Sequence, residues 1–179
     1  CTLSYDAPIV NLRFEDLPGS ATDLDSSSSA NNATCQAGLC PTAGVTGAVD
    51  KNNVAGADNQ FGTASDSAVS FAGATRLDLS KPITLSQFTL AFWVKMPADA
   101  PATGDFLFYT SDKWPNDDPN DFHVETSNGQ VLARLGQDTG NSAITPGRID
   151  DNKWHYVVVT RVPTTNTTTA HVQIYLDGS

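Results

Sequence analysis

The stretch that decides the fold is Phe88-Thr-Leu-Ala-Phe-Trp-Val-Lys95, followed by Met96. Phe88, Leu90, Phe92, Val94 and Met96 fall on one side of an extended chain, and Thr89, Ala91, Trp93 and Lys95 on the other. Strict alternation of this kind fits a β-strand with one face in a core, because side-chain direction repeats every two residues in a strand. Working outward, the same period returns in 154–162, where Trp154, Tyr156, Val158, Thr160 and Val162 oppose His155, Val157, Val159 and Arg161. In 170–176, Val172, Ile174 and Leu176 oppose His171, Gln173 and Tyr175. Further β-patterned runs lie at 9–14, 68–72, 75–79, 105–110, 121–126 and 130–135. Asn128-Gly129, between Val124 and Val131, is a hairpin signal, since both residues tolerate positive φ. Residues 19–67, rich in Ser, Ala, Asn, Gly and Asp, read as long connections around short strands. No sustained helical stripe or fixed repeat interrupts the pattern. The expected fold is all-β: a two-sheet antiparallel β-sandwich.

Composition narrows the function classes. The 179 residues carry 10 Lys plus Arg against 20 Asp plus Glu, a formal net charge of −10. Such a chain cannot neutralise a row of phosphates, which disfavours nucleic acid and anionic membrane surfaces as partners. No apolar run approaches the ~20 residues of a transmembrane helix. Cys35 and Cys40 flank a short Gly-containing loop and are expected to form a structural disulfide, which places the chain in an oxidising, extracytoplasmic compartment. Cys1 then stands alone, open to readings as a lipid-bearing first residue, a cut chain or one half of a bridge to a segment outside this sequence.

Three stretches together resemble the signature of laminin-G-like domains: Phe88 to Lys95, Asp151-Asn-Lys-Trp-His-Tyr-Val-Val-Val-Thr-Arg161, and Val172-Gln-Ile-Tyr-Leu-Asp-Gly178. These domains belong to the concanavalin A-like lectin/glucanase superfamily. The resemblance implies a concanavalin A-like jelly roll over 1–179 as a single domain, with a disulfide-pinned insertion around 31–66. It implies a further strand after the Leu176-Asp177-Gly178 turn, so the C-terminal strand or strands are expected to lie beyond Ser179. His155, within the Trp-His signature, takes a packing or hydrogen-bonding role by the same resemblance.

Candidate chemistry concentrates between two strands. The loop Thr110-Ser-Asp-Lys-Trp-Pro-Asn-Asp-Asp-Pro-Asn-Asp121 offers Asp112, Asp117, Asp118 and Asp121 as metal ligands. It also offers Trp114, Asn116 and Asn120 for binding a ligand. Calcium takes 6–8 oxygen ligands, and a dense Asp/Asn loop stiffened by Pro supplies them; the same residues also read as a solvated acidic loop. Asp16 and Asp25, near the first expected strand, compete as calcium ligands. Catalysis finds less support. Glycoside hydrolysis needs two carboxyls about 5–5.5 Å or 6.5–9.5 Å apart, and no strand carries a Glu-rich acidic run; Glu125 has only His123 as a same-face neighbour. His123, His155 and His171 read either as polar-face residues or as a convergent cluster. The expected function is a non-catalytic, extracellular or cell-surface module that binds glycans or surface proteins, within a larger adhesin or a pilus- or fibre-associated protein. A glycoside hydrolase or its accessory domain is the rival, and a self-assembling structural subunit packing on neighbouring copies is a third reading.

Overall fold

The computed structural model describes residues 7–14, 18–47, 67–83, 87–98, 106–110, 121–135, 142–163 and 170–179. These residues contain strands and no helix. They fall into two compact units, Cys1–Pro82 and Ile83–Ser179.

The second unit realises the alternating patterns. One sheet contains β6 (Phe88–Lys95), β11 (Trp154–Pro163) and β12 (Ala170–Leu176) in the order β12-β11-β6, all antiparallel. The other contains β7 (Phe106–Thr110), β8 (Phe122–Ser127), β9 (Gln130–Leu135) and β10 (Ser142–Ile144) in the order β10-β9-β8-β7. Val157 and Val159 from β11 and Leu176 from β12 join Phe122, Val124, Val131 and Ala133 in one buried cluster. Phe88, Leu90, Phe92 and Val94 pack against that cluster, so the face of β6 expected to be apolar is the inward one. Both sheets contribute to this core, which is the sandwich architecture. Phe122 sits 4.8 Å from the ring of Phe88 in an edge-to-face arrangement, joining one sheet to the other.

The turn at Asn128-Gly129 has φ of 50° and 78°, the pair of positive values a two-residue hairpin of this twist requires. A Cβ added to Gly129 would lie 2.5 Å from Asp150 and from Arg148 Nη2, so this turn is packed as well as bent. Asp177 and Gly178 repeat the geometry, with φ of 53° and 90°. Leu176 and Ser179 exchange backbone hydrogen bonds across that turn, at 3.0 and 3.1 Å.

The first unit is built from shorter pieces. β1 (Thr22–Asp23), β2 (Ala33–Thr34) and β5 (Asp78–Leu79) form a three-stranded sheet in the order β1-β2-β5, and β3 (Thr42–Thr46) pairs with β4 (Ser67–Ser70). Two expectations change here. Residues 9–14 are not a strand: only a single bridge, Leu12 to Asp25, forms, and Phe14 turns the chain with φ of 57°. The run 75–79 is paired only at Asp78–Leu79, because Thr75 closes a turn on Ala72 instead, through its backbone N–H and its hydroxyl. Cys35 and Cys40 form the expected disulfide, with Cα atoms 5.0 Å apart.

Candidate functional site

Of the loop expected to bind calcium and ligand, Asp112, Trp114, Asn116, Asp117, Asp118 and Asn120 lie outside the described residues. Asp121 is described: it precedes β8, is 7% exposed, and accepts a hydrogen bond from Tyr109 Oη at 3.4 Å. Among the described residues, no group of three or more His, Cys, Asp or Glu side chains is placed to hold a metal ion.

Asp121 begins a row along β8. Phe122 and Val124 point into the core, which puts Asp121, His123 and Glu125 on the opposite face. His123 is fully buried there and stacks on Tyr109, with ring centroids 5.7 Å apart and planes within 11°. Glu125 pairs with Arg134 Nε at 3.3 Å, across the register that sets His123 opposite Arg134. Glu125 therefore has a cross-strand cation that alternation along one strand could not make evident. At the rise of a β-strand the backbones of Asp121 and Glu125 stand roughly 13 Å apart. The three histidines do not converge: His123 belongs to the four-stranded sheet, while His155 and His171 occupy opposite faces of the other.

Asp25 gathers backbone donors from three segments of the first unit. Its carboxylate accepts backbone N–H groups of Asn11 (2.8 Å), Ser27 (2.8 Å) and Asn31 (2.7 Å). The hydroxyls of Ser27 and Ser29 both lie 2.8 Å from Oδ2. The same two hydroxyls also reach Ile9 O, so each, with a single proton, is shared between the carboxylate and that carbonyl. Burial pushes the Asp25 pKa up, but the hydrogen bonds from Asn11, Ser27 and Asn31 outweigh it and hold the group well below the usual carboxylate range. Asp25 ties residues 11 to 31 together. Asp16 lies outside the described residues.

The Trp-His and Leu-Asp-Gly stretches meet in space. His155 Nδ1 lies 2.8 Å from Asp177 Oδ2, and Nε2 lies 3.0 Å from Asp151 Oδ1. Asp177 Oδ1 also accepts the backbone N–H of Tyr156 at 2.9 Å, and Lys153 Nζ holds the other oxygen of Asp151 at 2.7 Å. Desolvation works to lower the His155 pKa, but the two carboxylates override it and raise it. The hydrogen-bonding role that the resemblance implied for His155 is thus visible as a clamp between a loop and a turn.

The outer face of the three-stranded sheet is the surface most suited to recognition. Register sets Tyr156 opposite Trp93, and Val158 between Ala91 and Tyr175. Trp93 and Tyr156 pack at 5.1 Å between ring centroids, tilted by 44°. Trp93 remains 39% and Tyr175 40% exposed. Thr89, Thr160 and Gln173 add hydroxyl and amide groups one pair further along, and Tyr175 Oη donates to Gln173 Oε1 at 3.3 Å. In a chain of twenty acids, the outward positions of these three strands carry no carboxylate; Lys95 is their one permanent charge. The sequence signal for this face was a Trp on the side of 88–95 opposite the apolar stripe, which alternation had set apart without assigning it a role.

The fold and this geometry define a concanavalin A-like β-sandwich. Residues 63–179, well over half of the chain, match a laminin-G family model described as concanavalin A-like lectin/glucanases superfamily, and the chain belongs to that family. No curated protein and no solved structure is matched. Laminin-G-like domains are generally non-catalytic and bind carbohydrate or protein, although the superfamily includes glycosidases. They are typically extracellular, which the disulfide fits. No helix among the described residues is long and apolar enough to cross a membrane.

Proposed function

We propose that this chain is a non-catalytic extracellular recognition module that binds glycans or surface proteins within a larger adhesin or pilus- or fibre-associated assembly. The observation that carries the reading is the outer face of β6, β11 and β12. Trp93, Tyr156 and Tyr175 offer apolar rings there, with hydroxyl and amide groups among them and no carboxylate. Contiguous exposed apolar surface of this kind marks interaction sites, and aromatic rings beside polar tips combine stacking with hydrogen bonding. The engagement of Glu125 by Arg134 weighs against the hydrolase reading. Calcium in the 112–121 loop belongs to the same proposal. The support there is the density of Asp and Asn in the sequence, with the buried carboxylate of Asp121 at the loop's end.

A glycan array and a panel of extracellular-matrix proteins, probed with and without EDTA, test the reading. Binding is expected to fall at least about tenfold in Trp93→Ala and in Tyr175→Ala, the lower end of what truncating an aromatic anchor costs. Binding that survives both substitutions would remove the face from the proposal. Sugar release that Glu125→Gln abolishes would replace the proposal with the enzyme reading. A melting temperature that EDTA leaves unchanged would remove calcium.

A further inference from the structure

The clamp around His155 joins two segments that the chain keeps apart. Asp151 lies in the loop before β11, whose Asn152 N–H is bonded to Met96 O at the end of β6 (3.0 Å). Asp177 lies in the turn that ends β12, whose own N–H is bonded to Tyr156 O (2.9 Å). His155 touches both, one carboxylate on each ring nitrogen. Its side chain is 13% exposed, against 39% for Asp151 and 49% for Asp177. Only an imidazolium has two N–H donors; a neutral imidazole has one donor and one acceptor. A carboxylate facing the acceptor nitrogen is repelled, so the doubly bonded geometry requires the charged form.

We propose that His155, Asp151 and Asp177 form a pH-sensitive latch, in which loss of one proton from the ring releases either the 150–153 loop or the Asp177-Gly178 turn from the end of β11. The inference is independent of what the outer sheet face binds.

The groups that face His155 set the direction. Asp151 with its partner Lys153 comes from the loop, Asp177 from the turn, and the cross-strand neighbour on β6 is the uncharged Val94. The two carboxylates raise the folded-state pKa above the ordinary histidine value. The ring's contribution to stability is therefore complete below about pH 6.5 and is lost as pH rises through the folded-state pKa. Asp151 acts in the opposite sense. Hydrogen bonds from Lys153 and His155 hold its pKa below the ordinary carboxylate value, so its contribution is present above about pH 4 and is lost on acidification. Between those limits the latch is closed.

An NMR titration of the His155 ring, with backbone amides followed in the same samples, tests this. The expected midpoint lies above about 6.5. The amides of one segment, 150–153 or 177–179, should shift with that same midpoint. Asp151→Asn and Asp177→Asn should each lower the midpoint, and the two together should carry it below the ordinary histidine value, because the ring's burial remains. Lys153→Met, which leaves both carboxylates in place, should keep the midpoint above about 6.5. A ring that titrates at or below that value in the unaltered protein would overturn the latch, as would a transition that neither segment's amides follow. The unaltered protein alone decides both points, so an Asn variant that fails to fold does not rescue the idea.

Discussion

Phe122 offers the most direct perturbation of the sandwich. It is 1% exposed, 4.8 Å and 80° from the ring of Phe88 on the opposing sheet, and 6.1 Å from Phe108 on its own. Burying an aromatic side chain removes about 150–250 Å² from water, which at about 25 cal/mol per Å² sets an upper figure of roughly 4–6 kcal/mol. Phe→Ala substitutions in cores cost about 3–5 kcal/mol, the cavity included. Phe122→Ala should therefore lose about 4 kcal/mol, a melting temperature lower by about 8–16 °C in a chain of this size. The edge-to-face pair adds about 0.5–1.5 kcal/mol beyond area, which a cycle of Phe122→Leu and Phe88→Leu isolates as a coupling energy. Urea unfolding followed by tryptophan fluorescence reads all four proteins, and an unchanged slope against urea would show that only stability has moved. A loss below about 2 kcal/mol for Phe122→Ala would refute the argument that this ring joins the two sheets. So would a coupling indistinguishable from zero.

Two further outcomes follow from the turns and the Asp25 hub. Gly129→Ala should destabilise more than Gly73→Ala: both take a left-handed backbone worth about 1–2 kcal/mol to an L-residue, but only at Gly129 does the new Cβ lie 2.5 Å from Asp150 and Arg148, and equal losses in thermal melts would contradict the packing described. Asp25→Asn should lower the melting temperature at neutral pH, with a gap that narrows on acidification: a carboxylate with a depressed folded-state pKa contributes above its unfolded value near 4 and loses that contribution as pH falls through the folded one. A gap that stays constant from pH 7 down to the acid limit of folding would show that the charge at Asp25 does not organise residues 11 to 31.

What the amino-acid sequence determined by itself is what neighbouring residues decide among themselves. The alternation from Phe88 to Met96 needs no partner to be read, because a strand's two faces are defined by the chain's own geometry. The Asn128-Gly129 turn is equally local, since both residues carry their tolerance of positive φ with them, and Cys35 and Cys40 stand within one short loop. The tertiary structure decided everything that depends on distant partners. The strands at 22–23 and 33–34 are two residues long, too short for any alternation to appear, and they exist through pairing with each other and with 78–79. Asp25 is a hub only because Asn11 and Asn31 bring their backbone amides to it. His155 and Asp177 are twenty-two residues apart and meet only because β12 folds back on β11 and its turn returns the carboxylate. The same holds for the outer face: Trp93, Tyr156 and Tyr175 sit on three separate strands, and their neighbourhood is a property of register, which no single strand contains.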